Sequence, residues 1–285
     1  MVAPIPTLLA LDFDGVLCDG SIEYFQSAWR TYAQIWEGET AIAPSGLAER
    51  FYPLRPVIET GWEMPVLIRA LLKGVPDEQI LRDWGTISQK IVAEEDLDPG
   101  AIAARLDRIR DEWIASDLDG WLSLHRFYPG TIARIKPLVD PVETGDTASA
   151  SLGERIKLVI ITTKEERFVR SLLGQQGIEL DGDAVYGKGV KRPKPDILKT
   201  LLAQESQPPQ IWFVEDRFKT LEAVRKYPEL DAIALYLADW GYNTTGERSA
   251  ARVHPSIELL SLDRFGRGFE EWRVGSRESG IGNRE

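Results

Sequence analysis

Leu8-Leu9-Ala10-Leu11 is apolar at every position and stops abruptly at Asp12-Phe13-Asp14-Gly15. A strand that is hydrophobic on both of its alternating faces belongs between two covering layers, which is the position of a central strand in a parallel sheet. Parallel strands cannot be joined by tight hairpins; they need crossover connections, usually helices. This one run therefore commits the chain to an α/β layer architecture, provided that later apolar runs alternate with helical patterns. They do. Residues 157–161, 184–186, 211–214, 232–237 and 257–260 read as strands, with helices at 131–139, 164–176, 195–204 and 218–226. Pro195 stands at a helix start, where its missing N–H costs nothing.

The alternation begins only after a long interruption. From residue 21 to residue 117 the periodicity is helical and nothing reads as a strand. Ile22, Phe25, Trp29, Tyr32 and Ile35-Trp36 form one stripe, and Ile102, Leu106, Ile109 and Trp113 another. Residues 77–93 place Ile80, Trp84, Ile87 and Ile91 on one face. Residues 54–72 read as helix broken at Pro56 and Pro65. The expected organisation is a discontinuous core, residues 1–18 and 129–285, with a helical module, residues 19–128, inserted after its first strand. Residues 140–154 read as a surface loop, and the tail from Gly266 as a polar, glycine-rich segment.

Charge and composition narrow the function. The formal net charge of −11 argues against nucleic acid and anionic membrane as partners, since both need a basic surface. No apolar stretch is long enough to span a bilayer, and no signal peptide is expected. The single cysteine, Cys18, cannot form an internal disulfide and suits a reducing cytoplasm; it reads as a small core residue. With only His125 and His254 available, a metal site would have to use oxygen ligands. His125 reads as a hinge or surface residue, and Trp240-Gly241-Tyr242-Asn243 as a structural loop.

Open parallel sheets bind ligands at the carboxyl ends of their strands. Four such ends carry chemistry here. They are Asp12-Phe13-Asp14-Gly15, the hydroxyls Thr162-Thr163, the basic stretch Lys191-Arg192-Pro193-Lys194-Pro195-Asp196, and the acids Glu215-Asp216. Converging acids, a hydroxyl and a lysine suit metal-assisted phosphoryl transfer. Carboxylate oxygens hold Mg²⁺, and a lysine and a hydroxyl bind phosphoryl oxygens. Each end alone has a plainer reading, such as an acidic turn, a helix cap at Thr163 or solvated cations.

Together, and in this order, the four segments resemble the motifs of the haloacid dehalogenase-like superfamily of phosphohydrolases. Phe127-Tyr128-Pro129-Gly130 resembles that family's re-entry into the core. The resemblance implies a three-layer α/β fold with a Rossmann-like parallel sheet and an inserted all-helical cap. A cap between the first and second motifs is a mark of the phosphoglycolate phosphatase and β-phosphoglucomutase branch. It further implies that Asp12 is the nucleophile and Asp14 the general acid and base, its carbonyl also binding Mg²⁺. Thr162 would bind the phosphoryl group, and Asp216 the metal, with Glu215 nearby. The cation of the third motif is Lys194, Arg192 or Lys191; Lys194 is favoured because a compact ammonium suits the role. Arg55 and Trp62 are candidate substrate contacts from the cap. The implied activity is Mg²⁺-dependent hydrolysis of a small phosphorylated metabolite. A phosphomutase or other phosphotransferase is the nearest alternative, and a binding or regulatory protein that kept the site is a third. The oligomeric state is open.

Overall fold

The computed structural model describes residues 5–37, 42–139, 156–204 and 209–272. The expected loop at 140–154 and the end of the tail, 273–285, lie outside them. The chain divides into two compact units. One holds Met1–Leu17, Tyr128–Gly241 and Glu247–Glu285; the other holds Cys18–Phe127 and Tyr242–Gly246.

Among the described residues the first unit is built on six strands: Leu8–Leu11 (β1), Lys157–Ile161 (β2), Val185–Tyr186 (β3), Ile211–Glu215 (β4), Ala234–Ala238 (β5) and Ile257–Leu260 (β6). Their order is β3-β2-β1-β4-β5-β6, and every pairing is parallel. The order reverses at β1, because the chain steps outward on one side through β2 and β3 and then returns to place β4 on the other. That makes the carboxyl ends of β1 and β4 the switch point at which such sheets bind ligands. Register fixes what meets there. Leu11 lies opposite Ile160 and Val214, and the Asp12 amide continues the ladder to the Val214 carbonyl at 2.9 Å. One step on, Asp12 is level with Glu215.

The second unit is helical. Its helices are Ser21–Tyr32 (α1), Leu47–Leu54 (α2), Glu63–Leu72 (α3), Asp77–Glu94 (α4), Pro99–Ser116 (α5) and Leu118–Leu122 (α6). A π-helical stretch, Ala33–Glu37, prolongs α1. Of the expected α1 stripe, Phe25, Trp29 and Tyr32 are buried with Leu67, Ile68, Ile80, Trp84, Ile102 and Leu106; Ile35 and Trp36 pack against this core partly buried, and Ile22 is only half-buried. Pro65 does not break a helix as expected. It sits in the first turn of α3, where proline is tolerated, and the break, residues 58–62, follows the short 3-10 turn that contains Pro56. Glu63 holds the start of α3 by accepting from the amides of Glu59 and Thr60 at 2.7 and 2.6 Å and from the indole of Trp84 at 3.0 Å. A two-residue antiparallel ladder joins Cys18–Asp19 to Arg126–Phe127 where the chain enters and leaves this unit. The separate segment Tyr242–Gly246 groups with the same unit. The Tyr242 hydroxyl accepts from the Gly20 amide at 2.7 Å and donates to Asp19 at 2.8 Å.

Among the described acids of the helical unit, Glu23 is the most deeply buried. Glu23 is 1% exposed and accepts from Arg110 Nε and Nη2 at 2.7 and 3.2 Å, from Ser27 at 2.6 Å and from the Trp121 indole at 3.2 Å. Removing one partner of a buried pair strands the other charge. Arg110→Met is expected to cost about 3–5 kcal/mol in urea unfolding. A loss under about 1 kcal/mol, the value of an exposed pair, would show that Glu23 is satisfied without it.

The remaining helices cover the sheet. They are Thr131–Val139 (α7), Glu166–Gly174 (α8), Lys194–Ala203 (α9), Phe218–Arg225 (α10), Thr245–Val253 (α11) and Leu262–Phe265 (α12). Strand side chains alternate between faces. Leu8, Ala10 and Phe213 pack with Ile197, Leu198 and Leu201 of α9 and with Leu221 and Val224 of α10. Trp212 and Tyr236 point to the opposite face and meet Trp272, with ring centroids 5.7 and 5.5 Å away. The tail is therefore anchored further along than its composition suggests, since Phe269 and Trp272 are buried. The α11 helix was not expected. Only Ala251 of its nine residues is buried, so it carries no apolar stripe to reveal it.

Candidate active site

Three of the four strand-end segments contribute to one cluster. Asp12 and Glu215 share a sheet face with Ala10 and Phe213, two and two residues earlier, and α9 packs on that face. Lys194 is the first residue of α9, so packing of the helix body delivers its ammonium to the carboxyl edge of the sheet. Lys194 Nζ lies 2.9 Å from Asp12 Oδ2 and 2.7 Å from Glu215 Oε2. Asp216 follows, and one oxygen each from Asp12, Glu215 and Asp216 fall within 4.8 Å of one another. The other Asp12 oxygen accepts from the Phe13 amide at 2.7 Å, and Glu215 Oε1 from the Arg217 amide at 3.1 Å.

The backbone is shaped for this crowding. Gly15 adopts φ +86°, the left-handed region open to glycine, and turns the chain straight after the acids. Gly241 packs so closely that a Cβ there would collide with the Gly15 carbonyl and with Cβ of Asp216. Trp240 secures the same turn by donating its indole N–H to the Val16 carbonyl at 3.0 Å.

All three acids are buried. Burial pushes the Asp12 carboxyl up to about 7; Lys194 opposes the shift and Glu215 adds to it. Burial also raises Glu215, with Lys194 opposing and Asp216 reinforcing. For Lys194 burial alone would lower the ammonium, but Asp12 and Glu215 hold it above its ordinary value. Carboxylates drawn this close together favour retention of protons or uptake of a cation.

Thr162 is buried at the end of β2. Its amide donates to the Tyr186 carbonyl at 3.0 Å, and its hydroxyl accepts from the Lys164 amide at 3.1 Å. Asp14 pairs with Lys164, whose Nζ lies 3.2 and 3.3 Å from the two carboxylate oxygens. No role for the Lys164 side chain is expected from the sequence. The signal was local, a lysine two residues past a strand-ending threonine, but its partner lies 150 residues away.

The other two candidate cations of the third motif go elsewhere. Arg192 donates to the Asp196 carbonyl at 2.8 Å and the Thr200 hydroxyl at 2.7 Å on the exposed side of α9. Lys191 is exposed, in a left-handed turn at φ +51°. In the helical unit, the Arg55 guanidinium lies over the rings of Tyr24 and Tyr242, 4.5 and 4.6 Å from their centroids, and donates to the Ile58 carbonyl. Trp62 is partly buried against the helical core. His125, expected at a hinge or on the surface, is buried, with its ring 4.6 Å from that of Trp121. Cys18 is buried.

No protein-family model matches the chain, and no curated protein matches it. Solved structures do. A predicted phosphoglycolate phosphatase from Haemophilus somnus 129pt superposes with a TM-score of 0.53 at 16% identity, over 91% of this chain and 95% of that one. A structure from Bacteroides fragilis, described as a haloacid dehalogenase-like hydrolase, gives 0.51 at 17% identity, over 90% and 98%. A predicted phosphatase from Clostridium acetobutylicum gives 0.51 at 13% identity, over 92% and 97%. Likeness at these identities is likeness of fold. The six-stranded parallel sheet and its helical layers share the α/β fold of these structures.

Proposed function

We propose that the chain is a Mg²⁺-dependent phosphomonoesterase that hydrolyses a small phosphorylated metabolite through an aspartyl-phosphate at Asp12. The observation that carries the reading is the Lys194 ammonium between Asp12 and Glu215 at the sheet's switch point, with Asp216 beside them. The fold neighbours described as phosphatases support it.

The donor set fits Mg²⁺. Asp12, Glu215 and Asp216 offer hard carboxylate oxygens, and no histidine or cysteine stands among them. Asp216 and Asp12 would hold the ion, with the Asp14 carbonyl and Glu215 as further candidates. When bound, the ion supplies positive charge that lets a carboxylate approach an anionic phosphate. Lys194 supplies the same kind of charge from the protein, and the Thr162 hydroxyl is a donor for a phosphoryl oxygen. Asp12 attacks phosphorus, forming its own O–P bond as the bond to the leaving oxygen breaks. Asp14 gives that oxygen a proton. Asp14 then takes a proton from water, whose oxygen bonds to phosphorus as the Asp12–phosphorus bond breaks. On this reading residues 19–128 form the cap, with Arg55 and Trp62 as candidate substrate contacts. A cytoplasmic location accords with the single buried Cys18. Among the described residues no helix is long and apolar enough to cross a membrane.

A panel of phosphorylated metabolites tests the proposal. Inorganic phosphate should appear with Mg²⁺, stop with EDTA and return when Mg²⁺ is restored. Mg²⁺ at a hundred times its Kd should also stabilise the fold by about 2.7 kcal/mol, read as a rise in Tm. An isomerised sugar phosphate in place of free phosphate would identify a mutase. Neither turnover nor a trapped aspartyl-phosphate across the panel would leave a binding protein.

A further inference from the structure

Lys164 lies beside the proposed chemistry without a part in it. Its Nζ is 3.2 Å from Asp14 Oδ1 and 3.3 Å from Oδ2, so it spans both oxygens. The two side chains are 8% and 15% exposed. Its main chain is held on both sides. The amide donates to the Thr162 hydroxyl at 3.1 Å, and the carbonyl accepts from the Lys188 amide at 2.9 Å. Gly187 seats this loop closely, since a Cβ there would come 2.8 Å from the Lys164 carbonyl and 2.7 Å from the Glu166 amide nitrogen. A lysine stem rooted in so fixed a loop gives its ammonium a defined place.

We propose that Lys164 is a positioning residue that holds the Asp14 carboxyl group in the orientation needed for proton transfer. The inference rests on the phosphatase reading above. A carboxylate on a short side chain can rotate about its terminal bond. An ammonium spanning both oxygens restricts that rotation; in the acid form one oxygen carries the proton for the leaving group, and in the carboxylate form a lone pair remains to take a proton from water. The step served is the one already written. As the Asp12–phosphorus bond forms, the bond to the leaving oxygen breaks and that oxygen takes the Asp14 proton. A leaving group that departs easily as an anion needs little of this help, and a poor one depends on it.

The test compares p-nitrophenyl phosphate with phenyl phosphate, which are similar in shape and differ in leaving ability. The readout is kcat/KM, which reports events up to departure of the leaving group. Lys164→Met should lower kcat/KM for phenyl phosphate by about 10²-fold, the lower end of general acid catalysis. Its effect on p-nitrophenyl phosphate should be at least about tenfold smaller. Lys164→Gln keeps a donor on a similar stem and serves if the methionine variant fails to fold, as judged by its thermal melt. Adding either change to Asp14→Asn should cause no further loss on phenyl phosphate, because residues that act through one group are not additive. Equal losses on both substrates would mark Lys164 as merely structural. No loss on either, or a full further loss in the double variant, would also overturn the proposal. A wild-type protein inert toward both esters would instead overturn the phosphatase reading itself.

Discussion

Asp12→Asn should lower hydrolysis of p-nitrophenyl phosphate by about 10⁴-fold or more, the scale on which removal of a covalent nucleophile is felt. The fold should survive it. The Asp12 carboxyl is buried and its pKa is raised to about 7, so below that pH the folded protein favours the neutral form that asparagine imitates. The sign follows from linkage. A carboxyl group raised from about 4 in the unfolded chain lends stability below that value and loses it as pH climbs through about 7. Metal-free wild-type protein should therefore show a falling Tm between about pH 5 and pH 8. The asparagine variant should fall less and should equal or exceed wild type at the upper end. Lys194 keeps its 2.7 Å contact with Glu215 in that variant, so its charge is not stranded. A dead variant with an undiminished Tm separates lost chemistry from lost structure. A variant that unfolds more readily at high pH would show that the Asp12 charge is a net contributor to the fold.

Lys194→Met is expected to damage both. Lys194 is the cation between Asp12 and Glu215, and removing it leaves a cluster of buried acids. Stranding buried charge costs about 3–5 kcal/mol, to be read by urea unfolding in EDTA near neutral pH. Mg²⁺ should recover part of that loss by binding the same oxygens. Turnover should fall by about 10²–10³-fold even with Mg²⁺ present, as when one preorganised charge is removed from a transition-state site. Lys194→Arg should not restore wild-type turnover, because a planar guanidinium cannot take the place of a compact ammonium held between two carboxylates. Full activity in either variant would remove Lys194 from the mechanism.

Much of this arrangement was legible because it is written in period and position. The all-apolar β1 announced a doubly covered sheet, and the later runs supplied its remaining strands. The parallel pairings level Asp12 with Glu215, and that relation follows from strand ends alone. The cation was harder. Lys191, Arg192 and Lys194 lie within four residues, and their fates depend on where α9 starts and which way the loop before it turns. Lys164 and Asp14 are both visible in the sequence, but no local pattern pairs them across 150 positions. The same holds for Glu23 and Arg110, where a buried acid interrupts an apolar stripe and its partner lies on another helix. Helix α11 escaped notice for the opposite reason: it has almost nothing to bury.

The central claim is that Asp12 carries the phosphoryl group. Protein mixed with p-nitrophenyl phosphate and Mg²⁺, quenched within a single turnover and reduced with borohydride, tests this most directly, because reduction converts an aspartyl-phosphate to homoserine. Peptide mass spectrometry should find homoserine at position 12, and only when both the ester and Mg²⁺ were supplied. Phosphate release with Asp12 unaltered, or with the modification at another residue, would contradict the account.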